Sequence, residues 1–147
     1  MEQRYRASLY AQLGEMDIQE TKRLLLNLIR RHGGTGDGAT LVMVAERAEE
    51  PGTIAGFIVG LLERVYGVGV PLTATDLWFC CRPGADLAEV RGLLGAVLLW
   101  ARGNPRVVEI KFGVVDTFGT DLEAADALYR RLGLERCGAI YRGSISR

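Results

Sequence analysis

The stretch "LTATDLWFCCRPGADLAEVRGLL", Leu72 to Leu94, changes its hydrophobic period in the middle. Its first ten residues combine apolar, aromatic and β-branched side chains, which favours a strand. From Leu87 onward the apolar residues recur at helical spacing, through Leu94 and on to Ala101. The proline and glycine of "RPGA" separate the two patterns and predict a turn. The stretch therefore predicts a strand, a turn and the start of a helix.

Three strand-like segments and two helices are predicted up to this turn. The segments "TLVMVAE", "TIAGFIVGLLERVYGV" and "LTATDLWFCC" are joined by short connections, which favours an antiparallel meander. A short helix is expected over residues 4–13. A second begins after Asp17, which has capping-box spacing to Glu20. The following "HGGTGDG" predicts a helix end and a mobile loop, and it lacks the Gly-Lys-Ser/Thr ending of a nucleotide P-loop.

Beyond the helix that contains Leu94, the chain alternates again. "VVEIKFGVV" predicts a strand, and "TDLEAADALYRRLG" predicts a helix that starts near Thr120 or Asp121 and ends at Gly133. "LERCGAIYRGSI" predicts a last strand. The resulting order is ααβββαβαβ. It predicts one α/β (α+β) layer domain over residues 1–147, with a mixed, mostly antiparallel sheet flanked by helices.

The amino-acid composition disfavours several classes of binding partner. Of 147 residues, 48% are hydrophobic, and 18 basic residues balance 18 acidic ones, which disfavours nucleic acid or an anionic membrane as the main partner. No apolar run approaches the length of a membrane span. The three cysteines include the adjacent Cys80 and Cys81, a pattern typical of thiols in a reducing cytoplasm, and no metal-ligand spacing is present. A virus particle assembled in cytoplasm would have the same composition.

The element order, taken together with "ALYRRLGLERCGAIY" at 127–141, resembles the GNAT family of N-acetyltransferases. Family members commonly carry a helix of the form A-x-x-L-Y-x-x-x-G-F and then a strand with a glycine and an aromatic residue. They often have two leucines, a tryptophan and an alanine in the middle helix, and a proline after the fourth strand. The matching residues here are Ala125, Leu128, Tyr129, Gly133, Leu134, Gly138 and Tyr141, then Leu93, Leu94, Trp100 and Ala101, and finally Pro83.

The resemblance implies direct attack of an amine on the thioester of acetyl-CoA. In this family the main chain of the fourth strand, here Phe79, Cys80 and Cys81, holds the pantetheine arm and polarises the acetyl oxygen. Tyr129 stands where a tyrosine often protonates the departing thiolate, and packing against the sheet is an equal alternative for its ring. Asp76 is the first choice for a base.

Other residues are candidates for the base or for a nucleophile. Glu63 and Glu109 are the alternative bases. Each of these strand carboxylates is more often solvent-facing or paired, for example with Lys111. A covalent mechanism at the two adjacent cysteines is disfavoured, because the only histidine lies in a distant segment.

The loop that binds pyrophosphate in the family departs from its pattern here. The place of its lead arginine or glutamine falls on Ala85, and the places of its two glycines fall on Ala88 and Val90, so the lead residue and both glycines are replaced. Asp86 and Glu89 have capping-box spacing, so their carboxylates compete for the helix N–H groups and repel phosphate. The positive charges of Arg82 and Arg91 offset this repulsion. The sequence predicts a weakened, reshaped or lost acyl-CoA site.

Two functional hypotheses follow. The first is an N-acetyltransferase that uses acetyl-CoA, without a metal, to acetylate an amine on a small molecule or a protein. The second is a degenerate GNAT-fold structural or interaction protein, such as a phage-encoded virion or assembly component, that does not turn over CoA. A homodimer or a larger assembly is expected in either case, because a short sheet edge needs cover. An open gap between the family's fourth and fifth strands, facing Tyr129, favours the first hypothesis. A Glu89 carboxylate on the helix start favours the second.

Overall fold

In the computed structural model of the chain, the structure describes residues 2–6, 8–12, 14–47, 49–114 and 121–139. The chain divides into two compact units, Met1–Gly113 and Val114–Arg147, and each is described by itself.

The helices and strands follow the predicted order over the described residues. The helices are α1 Glu2–Arg6, α2 Ile18–Arg30, α3 Leu87–Arg102 and α4 Leu122–Arg131, with 3₁₀ turns at Leu9–Gln12 and Val65–Gly67. The strands are β1 Thr40–Arg47, β2 Glu50–Arg64, β3 Leu72–Cys81 and β4 Val107–Lys111. The strand predicted over 134–145 shows no strand at 134–139, and its remainder lies outside the described residues.

The four strands form one mixed sheet in the order β1-β2-β3-β4. The first three strands pair antiparallel, which confirms the predicted meander. The chain then crosses over through α3, and β4 pairs parallel to β3, as a crossover connection requires. The predicted fold class, a mixed and mostly antiparallel sheet with flanking helices, is therefore confirmed.

Helix α3 packs closely on the sheet because glycine stands on β2 below it. The side chains of Leu94 and Val97 are completely buried. A Cβ added at Gly60 would lie 3.2 Å from the side chains of Val97 and Trp100, and one added at Gly56 would lie 3.2 Å from Leu93. The two glycines thus set the distance between α3 and β2, and this packing fixes where the start of α3 lies relative to the end of β3.

The glycine-rich loop 33–38 is anchored, contrary to the expectation of a mobile segment. Trp100 donates its indole N–H to the Gly34 carbonyl at 3.3 Å, and the Asn104 amide donates to the Thr35 carbonyl at 2.9 Å. The Gly38 N–H also donates to the Leu62 carbonyl at 2.7 Å. These partners are distant in sequence, and they tie the loop to the end of α3 and to β2.

The connection between β2 and β3 projects apolar side chains. Tyr66 adopts a left-handed conformation, with φ of 53°, that is uncommon for a residue other than glycine. Its side chain is 93% exposed, and Val68 and Val70 beside it are 81% and 76% exposed. This tip lies at the beginning of β3, whereas α3 begins just after the other end of that strand.

Candidate functional site

The segment between β3 and α3 is a tight turn. The N–H of Arg82 still donates to the Ala55 carbonyl at 2.8 Å, so the β2–β3 ladder extends to this residue. The Ala85 N–H then donates to the Arg82 carbonyl at 3.1 Å, and Gly84 between them has φ of 76°. Proline followed by a glycine with positive φ is the signature of a type II turn. The glycine in this segment therefore serves the turn.

Two carboxylates occupy the start of α3. The Asp86 side chain accepts from the Ala88 N–H at 3.3 Å, and the Glu89 side chain accepts from the Asp86 N–H at 2.8 Å. The pair forms a complete capping box, which confirms that prediction. The Val90 N–H donates to the Asp86 carbonyl at 3.1 Å within the helix. The carboxylates place negative charge where the positive end of the helix dipole would otherwise attract an anion.

Arginines surround this turn. Arg82 and Arg91 are exposed, and neither forms an ion pair with a residue that the structure describes. A shallow pocket of about 170 Å³ lies between the β1–β2 hairpin and the turn. Its lining side chains include Arg47 and Arg82, and Glu50 lies 3.8 Å from the Arg47 guanidinium. The pocket therefore offers two cations to an anionic group, one of them partly neutralised.

On the other side of β3, the sheet parts. Strands β3 and β4 pair from Leu72–Val107 to Thr75–Lys111, and this ladder then ends. The β2–β3 ladder continues to the Gly56–Cys81 pair. Strand β4 ends at Lys111, so within the described residues the pairing of the two parallel strands ends at Thr75. The sequence pattern predicts a strand to residue 115, which lies outside the described residues. This parting is the geometric feature that the resemblance leads us to expect next to Phe79, Cys80 and Cys81.

A β-bulge lies at the point of divergence. Val59 pairs with Trp78 and Gly60 pairs with Asp76, so Leu77 has no opposing residue on β2. An extra residue of this kind bends a strand and increases its local twist. The bulge was not predicted from the sequence.

The Asp76 carboxylate faces the diverging chain. Its Oδ1 accepts from the Gly113 N–H at 2.8 Å, two residues beyond the last paired residue of β4. Burial raises the pKa of Asp76 above its usual value of 3.8, and the backbone N–H of Gly113 opposes that rise. A half-buried carboxyl group with a raised pKa is suited to proton transfer. Gly113 was missed in the sequence analysis, although a glycine directly after a strand often marks where a ladder ends.

The alternative carboxylates have different surroundings. Glu109 forms an ion pair with Lys111 at 2.8 Å, as the sequence analysis expects for a strand carboxylate. Glu63 is exposed. Both are therefore less suited than Asp76 to proton transfer. Cys80 and Cys81 are half-buried, and Cys137 is exposed.

Tyr129 belongs to the second unit. It lies on α4, whose start is capped by the Asp121 carboxylate through the N–H groups of Glu123 and Ala124, each at 3.0 Å. The helix ends before Gly133, which has φ of 80°, as predicted. The Tyr129 side chain is half-buried.

The described residues contain neither a metal site nor a membrane-spanning helix. No group of three or more His, Cys, Asp or Glu side chains among them is arranged to hold a metal ion. No helix in the described part of the chain is long and apolar enough to cross a bilayer.

Comparison with models of known protein families finds no match, and no curated protein matches the sequence. Solved structures match the fold over nearly the whole chain. Glucosamine-6-phosphate N-acetyltransferase from Arabidopsis thaliana aligns with a TM-score of 0.65 and 9% identity, over 99% of this chain and 95% of that one. A Trypanosoma brucei acetyltransferase aligns with a TM-score of 0.62 and 12% identity, over 98% and 92%.

A third structure carries a ligand. AAC(6′)-Iy, solved in complex with the bisubstrate analogue CoA-S-monomethyl-acetylneamine, aligns with a TM-score of 0.61 and 13% identity, over 97% of this chain and 91% of that one. At such identities the likeness establishes the fold and leaves the chemistry to the residues. The chain therefore has the mixed α/β fold of the GNAT acetyltransferases.

Proposed function

We propose that this protein is an N-acyltransferase that moves an acetyl group from acetyl-CoA to an amine of a small molecule or a protein. The observation that carries the proposal is the parting of β3 and β4 after four paired residues. An extended chain rich in amides, such as pantetheine, can lie along β3 beyond Thr75 in the manner of an added strand. The binding of a CoA-based analogue by AAC(6′)-Iy, which shares the fold, supports this assignment.

The proposed reaction needs three contributions from the protein. The amine nitrogen attacks the thioester carbonyl carbon, a C–N bond forms, and the C–S bond breaks. Main-chain N–H groups of Phe79 to Cys81 are proposed to stabilise the developing oxyanion. Asp76 is proposed to accept the proton that the amine loses, and Tyr129 to donate a proton to the thiolate of CoA.

Phosphate binding is proposed to depend on side chains. The Asp86 carboxylate accepts from the Ala88 N–H of α3, the Glu89 carboxylate accepts from the Asp86 N–H just before the helix, and both repel an anion. We therefore assign the pyrophosphate to the guanidinium groups of Arg82 and Arg91, beside Ala88 and Val90. Guanidinium groups form charge-assisted, often bidentate hydrogen bonds to phosphate.

The test is calorimetric titration of the protein with acetyl-CoA at moderate salt. We expect micromolar affinity, and Arg82→Gln should weaken it by about tenfold, the value of one charge-assisted hydrogen bond. Tyr129→Phe is the matched control for binding. It should leave the affinity almost unchanged and should slow the release of CoA thiol when an amine acceptor is supplied. No detectable binding at millimolar acetyl-CoA would contradict the proposal.

The capping box on α3 favours a second candidate function. A protein that kept the fold and lost the cofactor would retain the buried sheet and would have no need for exposed glycines at the helix start. Such a protein would act as a structural or interaction component, including in a virion. In the same titration it would show no binding by the wild type, and the Arg82→Gln variant would behave identically.

A further inference from the structure

The end of the β3–β4 ladder coincides with a side-chain contact. In a continued parallel ladder, the next pair after Thr75–Lys111 would be Asp76–Phe112, and the pair after that would bring Leu77 opposite Gly113. The Gly113 N–H would then donate to a main-chain carbonyl of β3. In this protein the acceptor is the Asp76 carboxylate, at 2.8 Å. A side chain thus takes the place of the backbone as the partner of Gly113, two residues beyond the last paired residue of β4.

This substitution changes the distance between the strands. A carboxylate oxygen projects from its own backbone by the length of the side chain, so it holds the Gly113 main chain farther from β3 than a carbonyl would. The bulge at Leu77 lies next to Asp76 and turns β3 at the same place. The two features together define where the strands separate and by how much.

The surroundings of Asp76 support a structural use of its carboxylate. Among the residues that the structure describes, no lysine or arginine forms an ion pair with it. The hydrogen bonds to its charged form come from main-chain N–H groups, that of Gly113 and its own. A half-buried carboxylate without a cationic partner is costly, and a specific backbone contact is one reason to keep it.

We propose that Asp76 is a positioning residue whose carboxylate bridges β3 to Gly113 and sets the width of the gap between β3 and β4. The importance of this width for ligand binding rests on the proposed acyl-CoA function. The bridge itself does not rest on it. The role is distinct from proton transfer, because an uncharged acceptor of the same shape can also receive the Gly113 N–H.

Three variants separate these roles. Asp76→Asn keeps an oxygen acceptor at the same place and removes the charge. Asp76→Ala removes the acceptor. Asp76→Glu keeps the charge and lengthens the side chain by one methylene. It replaces the alanine variant in the measurements if that variant does not fold. Thermal melting of each variant checks that the chain is folded.

The first readout is hydrogen exchange of the Gly113 amide, measured by NMR without ligand. Loss of a hydrogen bond to a charged acceptor should accelerate exchange by about tenfold or more in Asp76→Ala. Exchange in Asp76→Asn should stay within about threefold of the wild type. Equal exchange rates in the wild type and the alanine variant, or in the glutamate variant if alanine unfolds, would overturn the proposal.

The second readout is the affinity for acetyl-CoA. We expect Asp76→Ala and Asp76→Glu to weaken binding by about tenfold, and Asp76→Asn to preserve it within about threefold. Weakening in Asp76→Asn equal to that in Asp76→Ala would show that the charge matters and would overturn the positioning role. If the wild type does not bind acetyl-CoA, the proposed function fails, and the exchange of Gly113 alone then decides whether the bridge exists.

Discussion

The two ends of the candidate site are held in different ways. Where β3 and β4 part, the geometry comes from the ladder, the bulge at Leu77 and the contact between Asp76 and Gly113. At the start of α3 the geometry comes from side chains, because the Asp86 carboxylate accepts from the Ala88 N–H and the Glu89 carboxylate accepts from the Asp86 N–H. The first region has the geometry that the resemblance leads us to expect, and the second departs from the family's sequence pattern.

This difference indicates that the backbone shape of a binding fold and its ligand chemistry depend on different residues and can change independently. The shape depends on buried packing, such as the approach of α3 to Gly56 and Gly60, where most substitutions are destabilising. The chemistry of the helix start depends on exposed residues, where substitutions cost little stability. A chain can therefore keep the backbone shape of the fold and lose or rebuild its ligand chemistry.

The largest effect is expected from Gly56→Ala, which attacks the packed region. The added Cβ would lie 2.9 Å from the Cys81 sulfur and 3.0 Å from the Cys80 carbonyl oxygen. Such overpacking costs about 1–3 kcal/mol of unfolding free energy, measurable by urea titration. An unchanged midpoint of urea unfolding would show that the end of β3 is not tightly packed. It would contradict the contrast between this region and the start of α3.

The next effect concerns the exposed region. The double variant Asp86→Asn, Glu89→Gln keeps good capping residues and removes two negative charges from the helix start. We expect acetyl-CoA to bind about tenfold more tightly, because each charge near a helix terminus contributes about 0.3–1 kcal/mol. Calorimetric titration measures this. An affinity that does not change would mean that the capping carboxylates do not oppose the cofactor.

A smaller effect is expected within α3. Gly92 is exposed on this helix, and a Cβ added there would meet nothing within 4 Å. Gly92→Ala should therefore raise the unfolding free energy by about 1 kcal/mol, the difference in helix propensity. The same urea titration provides a matched contrast to Gly56→Ala. Destabilisation by Gly92→Ala would indicate that this face of α3 is covered by something.

The smallest effect is a pH dependence at the parting of the strands. The folded chain holds the Asp76 proton to higher pH than the unfolded chain, because burial raises the pKa above 3.8. The unfolding free energy contributed by this group therefore falls as pH rises from below 3.8 through the folded pKa. The asparagine variant does not lose this contribution. The unfolding free energy of Asp76→Asn minus that of the wild type should therefore be larger at pH 7 than at pH 3. Thermal melts at both pH values test this, and a constant difference would contradict it.

The local features of the molecule were predictable and the distant contacts were not. The bounds of β3 and the capping box of α3 follow from residues that are neighbours in sequence. The contact between the Asp76 carboxylate and the Gly113 N–H, just beyond the end of β4, joins residues that are 37 positions apart. Likewise, local sequence predicts a mobile loop at 33–38 because the residues that anchor it, Trp100 and Asn104, lie more than 60 positions away.

Competition between side chains explains why Glu20, which has capping-box spacing to Asp17, uses its carboxylate elsewhere. Asp17 caps α2 through the Glu20 N–H at 2.8 Å, as its spacing predicts. The Glu20 carboxylate itself accepts from Arg23 at 2.7 Å. A spacing rule states which partner is within reach, and a neighbouring cation on the next turn can be the better one.

The exposed tip at Tyr66 makes the protein convenient to engineer. It lies at the start of β3, and a ten-residue strand separates it from Cys81 by about 30 Å. Loop tips of this kind tolerate insertions well. An affinity tag, a fluorescent label or a surface anchor inserted beside Tyr66 would therefore leave the far end of β3 accessible, so immobilised protein could be used for screening ligands.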